Sequence, residues 1–319
     1  MFSFEKKVQT YNIGGIKVGG ELGKNPTVLL GSVFYTGHRI VKDRSAGRFD
    51  RKRAETLINR QEELSDQTGI PGMLDLVAVR PQEFETYINF VANMTDMPFA
   101  VDAWYEETKL AAAQIIHEQG LQKRTVYNSL APWSKNLDLE VDQLLKFEQE
   151  NVILVAFNQE DASVQGRISI LTNKLIPYAR KAGFQHLLVD TSVMNAPSTA
   201  ISLLTGCKIR DQIGFPVGCG PSNGTDPKAW GIPREMWGKL GFTSIDAALH
   251  AVTALWSDFL FYGPIENAKW IFPAVALAEM LKSTFRAEIT HDLPMMEDHP
   301  LNKFFSEFAN QLKESFGGG

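Results

Sequence analysis

The sequence predicts an α/β protein closed into a (β/α)8 TIM barrel, and three observations carry that expectation. Short apolar, β-prone runs recur along the chain, each followed by polar residues and then by a segment of helical periodicity. Eight such units fit within roughly 240 residues, the number and length that a closed barrel needs. The runs are apolar throughout rather than alternating, so both faces of each strand must be covered, as in a parallel sheet flanked by helices. A doubly wound open sheet is the competing architecture.

One domain, 1–319, is expected in three parts: a hairpin in 1–26, the barrel in 27–290 and a helix in 291–319. In YNIGGIKVGG, Gly14 and Gly15 between Ile13 and Ile16 suit a β-hairpin turn, placed to plug the bottom of the barrel. The barrel strands are then read from PTVLLGSVFY, GMLDLVAV (72–79), PFAVDAW (98–104), RTVYNSLAP (124–132), NVILVAFNQ (151–159), HLLVDTSV (186–193), GFPVGCG (214–220) and SDFLFYGPI (257–265). Between them lie helical segments such as RKRAETLINRQEELSDQTG, EETKLAAAQIIHEQG, DLEVDQLLKFEQE, RISILTNKLIPYARKAG and SIDAALHAVTALW, several closing on a glycine in the C-terminal position. The last segment, DHPLNKFFSEFANQLKESF, predicts a helix capped by Asp298, with Pro300 in its first turn and Phe304, Phe308, Leu312 and Phe316 on one face. That face must pack on the barrel or on a second copy of the chain.

Composition narrows the function. A net charge of -5, from 32 basic and 37 acidic residues, offers no general attraction to nucleic acid or to an anionic membrane. No apolar run reaches membrane-spanning length, and the start MFSFEKKVQTY lacks the core of a signal peptide, so a cytoplasmic protein is expected. Two cysteines, Cys207 and Cys219, make neither a disulfide framework nor a metal knuckle, and both are expected to be packed thiols.

In a barrel the chemistry sits at the carboxyl ends of the strands. The polar residues there are Asp75, Asp102, Asn128, Asn158, Asp190 and Asn223, all Asp or Asn. No strand end carries a lysine for a Schiff base, and no histidine pair has metal-ligand spacing, so no protein-bound metal is expected. His117, His186 and His250 read as packed or surface residues, and His38 alone has a site-like position in the first loop. Carboxylates accept N–H bonds while carboxamides both donate and accept, a set suited to the flat edge of a heterocycle with alternating donors and acceptors, such as a pterin. Each Asp or Asn taken alone is as readily a helix cap.

The stretches GGIKVGGELGKNPTVLLGSVFYTGHRIV and RQEELSDQTGIPGMLDLV resemble the H subunit of tetrahydromethanopterin S-methyltransferase and its bacterial relatives, the methylcorrinoid:tetrahydrofolate methyltransferases. The resemblance runs over essentially the whole chain and is nearest the bacterial branch that serves glycine betaine demethylation. More distantly, the strand ends are similar to those of pterin-binding barrels. VDAW, VYNS, LVDT and GPSN match that pattern through Asp102, Asn128, Asp190 and Asn223, and MLDL adds Asp75. The resemblance implies transfer of a methyl group from a corrinoid on a partner protein to N5 of tetrahydrofolate. Asp102, Asn128 and Asp190 would hold the pterin edge, with Asn223 near N5, Asn223 and Asp190 serving catalysis, and Asn158 as a further binding candidate. It also implies a homodimer. The late Lys and Arg-x-His set of the dihydropteroate synthases is missing from SDFLFYGPIENAKW, so synthase activity is not expected.

Two other readings stay open: a component of a larger assembly, like the archaeal H subunit, and a barrel acting on another heterocycle. The basic loop HRIVKDRSAGRFDRKRA brings Arg39, Lys42, Arg44, Arg48, Arg51, Lys52 and Arg53 to the same face, for a folate tail, for an acidic partner or simply for solvent. In VGCGPSNGTDPKAWG the glycines lack a phosphate-loop pattern. Their expected use is to let the backbone pass close to a flat ligand, with Asn223 aimed at N5.

Overall fold

A computed structural model describes residues 4–226, 234–294 and 296–317. Eight parallel strands close into a barrel, so the open-sheet alternative is discarded. A short hairpin, β1 (Thr10–Ile13) and β2 (Ile16–Gly19), precedes it. The barrel begins with β3 (Val28–Val33). A second small hairpin, β4 (Val41–Asp43) and β5 (Arg48–Phe49), interrupts the first loop, where the sequence pattern predicts no strand. The remaining barrel strands are β6 (Gly72–Val77), β7 (Phe99–Asp102), β8 (Thr125–Leu130), β9 (Asn151–Val155), β10 (His186–Asp190), β11 (Val217–Cys219) and β12 (Phe259–Pro264). Their order around the wall follows the chain, and β12 pairs with β3 to close it.

The helices that cover the wall are α1 (Arg51–Thr68), α2 (Pro81–Met94), α3 (Glu106–Glu118), α4 (Leu137–Lys146), α5 (Val164–Ile170), α6 (Ile176–Lys181), α7 (Ser198–Gln212), α8 (Pro221–Thr225), α9 (Arg234–Ala254) and α10 (Ala268–Thr290). α1 shows the expected local code: the Asp50 side chain accepts from the Arg53 amide at its start, and Gly69 closes its end at φ 72°. Among the described residues no helix is long and apolar enough to cross a membrane.

The two-residue period of each strand separates two cores. Outward residues such as Leu74, Val101, Leu154 and Val189 pack under the helices. Inward residues Val28, Leu30, Met73, Ala100, Val126, Ile153 and Leu188 fill the barrel with Phe259. Tyr11, Ile13 and Val18 of the hairpin join that inner cluster and plug the bottom, as the sequence predicts.

The C-terminal helix departs from expectation. It is two helices, α11 (Pro300–Phe304) and α12 (Ser306–Gly317), broken at Phe305. Asp298 is not the cap: His299 precedes Pro300, and its Nδ1 accepts from the Leu301 amide at 3.1 Å. The break puts Phe304 on one helix and Phe308, Leu312 and Phe316 on the next, so the four do not share one continuous face.

Candidate functional site

The strand period that fills the barrel also builds the site. One step above the apolar layer, the inward positions of β3, β6, β7, β8 and β10 are Ser32, Asp75, Asp102, Asn128 and Asp190. The parallel register aligns them, with Ser32 opposite Asp75 and Asp102 opposite Asn128. All five line a cavity of about 1010 Å³ at the carboxyl end of the barrel. Asn223, on α8 directly after β11, lines the same cavity.

The floor is tied together by hydrogen bonds. Ser32 Oγ donates to Asp75 Oδ2 at 2.9 Å, and Asn128 Nδ2 donates to Asp75 Oδ1 at 3.3 Å. Asp190 Oδ1 accepts from the Ser192 amide at 2.7 Å. The Asp102 side chain has no hydrogen-bond partner among the described residues. Lys109 of α3 borders the cavity beside it, its ammonium donating to the Ser129 carbonyl and, at 3.1 Å, to Glu140.

Burial dominates the electrostatics. It raises the carboxyl pKa of Asp75 to about 6, against the hydrogen bonds from Ser32 and Asn128. It raises Asp190 to about 6 as well, opposed by the Ser192 amide and the Arg167 charge. Asp102 is held well above the usual carboxylate range by burial first and then by the negative charge of Asp75, with Lys109 pulling the other way. Three carboxyl groups in one low-dielectric floor disfavour full ionisation together, and N–H donors from a ligand relieve that cost.

Most sequence-predicted residues come together here. Asp75 is only 2% exposed yet reaches the cavity wall, so it serves both the packing of the barrel and the floor of the site. Asn158 does not join the others: the inward slot of β9 belongs to Val155, and Asn158 lies beyond the strand, its Oδ1 accepting from the Glu160 amide at 3.0 Å.

His38 is buried and braces the first loop. Its Nδ1 accepts from the Phe34 amide, and Nε2 lies 3.2 Å from Glu266; it is Tyr35, stacked on His38, that reaches the cavity. Cys219 is fully buried, and burial pushes its thiol up to about 12. Arg44 is occupied within the protein by Glu83 and the Phe34 and Tyr35 carbonyls, and Arg48 pairs with Asp43.

Two of the glycines of the 217–226 stretch, Gly218 and Gly224, sit close against the protein itself. A Cβ on Gly218 would lie 2.2 Å from the Phe259 carbonyl, and one on Gly224 3.1 Å from Leu249. Gly220 alone of the three borders the cavity, and residues 227–231 of that motif lie outside the described residues.

Sequence reasoning missed Ser32, Lys109, Trp104, Trp133 and Asp246, all of which line the cavity. Ser32 was readable as the inward residue one period above Leu30. Lys109 was not, because it arrives from a helix. Apolar side chains border the cavity too: Trp104 is 76% exposed and stacks on Trp133, and Met194 is also exposed.

The family model of the tetrahydromethanopterin S-methyltransferase MtrH subunit matches residues 6–293. Among curated proteins, the chain is 36% identical over 324 residues to the H subunit of tetrahydromethanopterin S-methyltransferase from Methanopyrus kandleri, covering 95% of this chain and 99% of that one. It is 35% identical over 314 residues to the protein of the same name from Methanothermobacter thermautotrophicus, with the same coverage. It is 34% identical over 322 residues to the H subunit of the putative methyltransferase mtx from Methanosarcina mazei, again covering 95% and 99%.

Proposed function

The chain belongs to the family of the tetrahydromethanopterin S-methyltransferase MtrH subunit, and from that premise we propose that it is a methyltransferase working as an MtrH-like component beside a corrinoid carrier. It moves a methyl group between a corrinoid on a separate protein and N5 of a tetrahydropterin. The observation that carries this reading is the inward layer of Asp75, Asp102, Asn128 and Asp190 beneath a cavity that Asn223 also faces. Two of the relatives named above are called after tetrahydromethanopterin, which makes that pterin the first acceptor to test. Tetrahydrofolate, with the betaine demethylation that the sequence suggested, is the second: it presents the same pterin edge to the same floor.

The residues divide the work. The carboxylates accept from the amino and ring N–H groups of the pterin, an edge that an analogue without those donors cannot satisfy. Asn128 donates to Asp75 and offers its carbonyl to the ligand. Asn223 offers an amide oxygen to an N5 proton or an amide N–H to the N5 lone pair, which orients N5 for in-line transfer. The corrinoid supplies the methyl group and keeps the cobalt–carbon electron pair; the proton displaced from N5 leaves to solvent.

A macrocycle on a protein carrier needs an open, apolar approach. Trp104, Trp133 and Met194 at the cavity fit that requirement better than the basic first loop, whose Arg44 and Arg48 are already paired. We also propose a homodimer through the exposed Leu277, Leu281 and Ile289 of α10, which repeat at i, i+4 and i+12.

The test mixes the purified protein with methylcobalamin and either tetrahydropterin and follows the corrinoid spectrum. Appearance of demethylated corrinoid that depends on the pterin supports the reading. Calorimetry showing no binding of either tetrahydropterin refutes it.

A further inference from the structure

Asn223 sits on a helix of five residues, far too short to hold its own position. Ser222 Oγ donates to the Phe261 carbonyl of β12 at 3.2 Å, and a carboxylate from another part of the chain holds the end of α8. Thr225 Oγ1, two residues after Asn223, donates to Asp246 Oδ1 at 2.7 Å. Trp270 Nε1, on α10, donates to Asp246 Oδ2 at 2.8 Å. Asp246 belongs to α9 and is 1% exposed, although it borders the cavity.

One turn further along α9, His250 Nδ1 lies 2.7 Å from the Asp246 carbonyl and 3.4 Å from Oδ1. Gly224 seats α8 close against Leu249 of α9 and against Ala196. Each oxygen of the buried carboxylate is therefore engaged by a donor from a different element. Charge-assisted bonds of this kind are short and directional, so they define where α8 stands.

We propose that Asp246 is a positioning residue for methyl transfer: by joining Thr225 to Trp270 it sets the place of Asn223 relative to the carboxylate floor. This rests on the methyltransferase reading above. The step it serves is sensitive to geometry, since a displacement of about 1 Å of a positioned group lowers a rate on the order of 100-fold. Ligand binding is much less sensitive, because Asp75, Asp102, Asn128 and Asp190 hang on other strands, and the bonds that tie that floor together do not involve α8.

The test is a double-mutant cycle between Asp246→Ala and Asn223→Ala, read by turnover with methylcobalamin and tetrahydropterin and by the calorimetric Kd of the pterin. Asp246→Ala takes the acceptor from both Thr225 and Trp270, and alone it is expected to lower turnover roughly 10- to 100-fold, by the same positioning argument, and to leave the Kd within about twofold. In the Asn223→Ala background it is expected to change turnover less than about twofold, because a residue that acts through Asn223 has nothing left to position.

Thr225→Val exchanges the hydroxyl for a methyl group and should reproduce the Asp246→Ala result; it serves if that variant does not fold. Equal losses in both backgrounds overturn the inference and make Asp246 a general structural residue. A rise in Kd matching the loss of turnover also overturns it, by making Asp246 a ligand contact. Asn223→Ala with full turnover removes the role of Asn223 and this inference with it, whereas absence of pterin binding to the unaltered protein removes the function itself.

Discussion

Replacing Asp75 by Asn should make the free protein more stable and the ligand-bound one less so. Burial raises the Asp75 pKa from 3.8 to about 6 in the folded chain. A group raised in this way contributes stability that is complete below its unfolded pKa and is lost as pH rises through the folded one. A displacement from 3.8 to about 6 corresponds to about 3 kcal/mol lost by pH 8.

Asn carries no charge to desolvate. Its Oδ1 can still accept from Asn128 Nδ2, while its Nδ2 can donate to a reoriented Ser32 hydroxyl, so the floor stays bonded. The substitution also removes one of the negative charges that raise Asp102. For a chain of this size about 3 kcal/mol is a rise in Tm of about 5 °C. Thermal unfolding of both proteins at pH 8 and pH 4 reads it. Asp75→Asn is expected to melt higher at pH 8, the gap closing toward pH 4, while its pterin affinity falls at least tenfold. A variant destabilised equally at both pH values would refute the reasoning, because the carboxylate would then be a net stabiliser of the fold.

Three further outcomes follow from the same floor and mouth. Pterin affinity should weaken as pH drops below about 6, because Asp75 and Asp190 accept protons there and lose capacity to accept N–H bonds; calorimetry between pH 5 and 8 checks the sign. Asn223→Ala should lower methyl transfer far more than pterin affinity, measured by turnover against Kd, and equal losses would make it a binding residue only. Trp104→Ala should raise the KM for a methylated corrinoid protein several-fold and leave pterin Kd unchanged, since its ring is mostly exposed at the mouth.

Much of this architecture was legible because it depends on short-range periodicity. The eight apolar runs became the eight barrel strands, and the polar ends of β6, β7, β8 and β10 became the floor. Strand parity explains which of these residues meet and which one does not. Asp75, Asp102 and Asp190 stand an even number of residues from the inward Met73, Ala100 and Leu188, whereas Asn158 lies past the end of β9, after the inward slot is filled by Val155.

What the sequence hid arrives from helices and pairings outside the strand ends. Lys109 enters from α3, Asp246 from α9, and Arg44 is consumed by Glu83, a residue of the next helix but one along the chain. At the C-terminus, His299 caps the helix in place of Asp298, and the chain breaks at Phe305, which no pattern of apolar spacing announces.

The most direct measurement is a crystal structure of the protein with a bound tetrahydropterin. The pyrimidine edge of the pterin is expected against Asp75, Asp102, Asn128 and Asp190, with N5 within hydrogen-bonding distance of Asn223. A pterin bound outside this cavity, or one whose N5 faces away from Asn223, would contradict the methyl-transfer account.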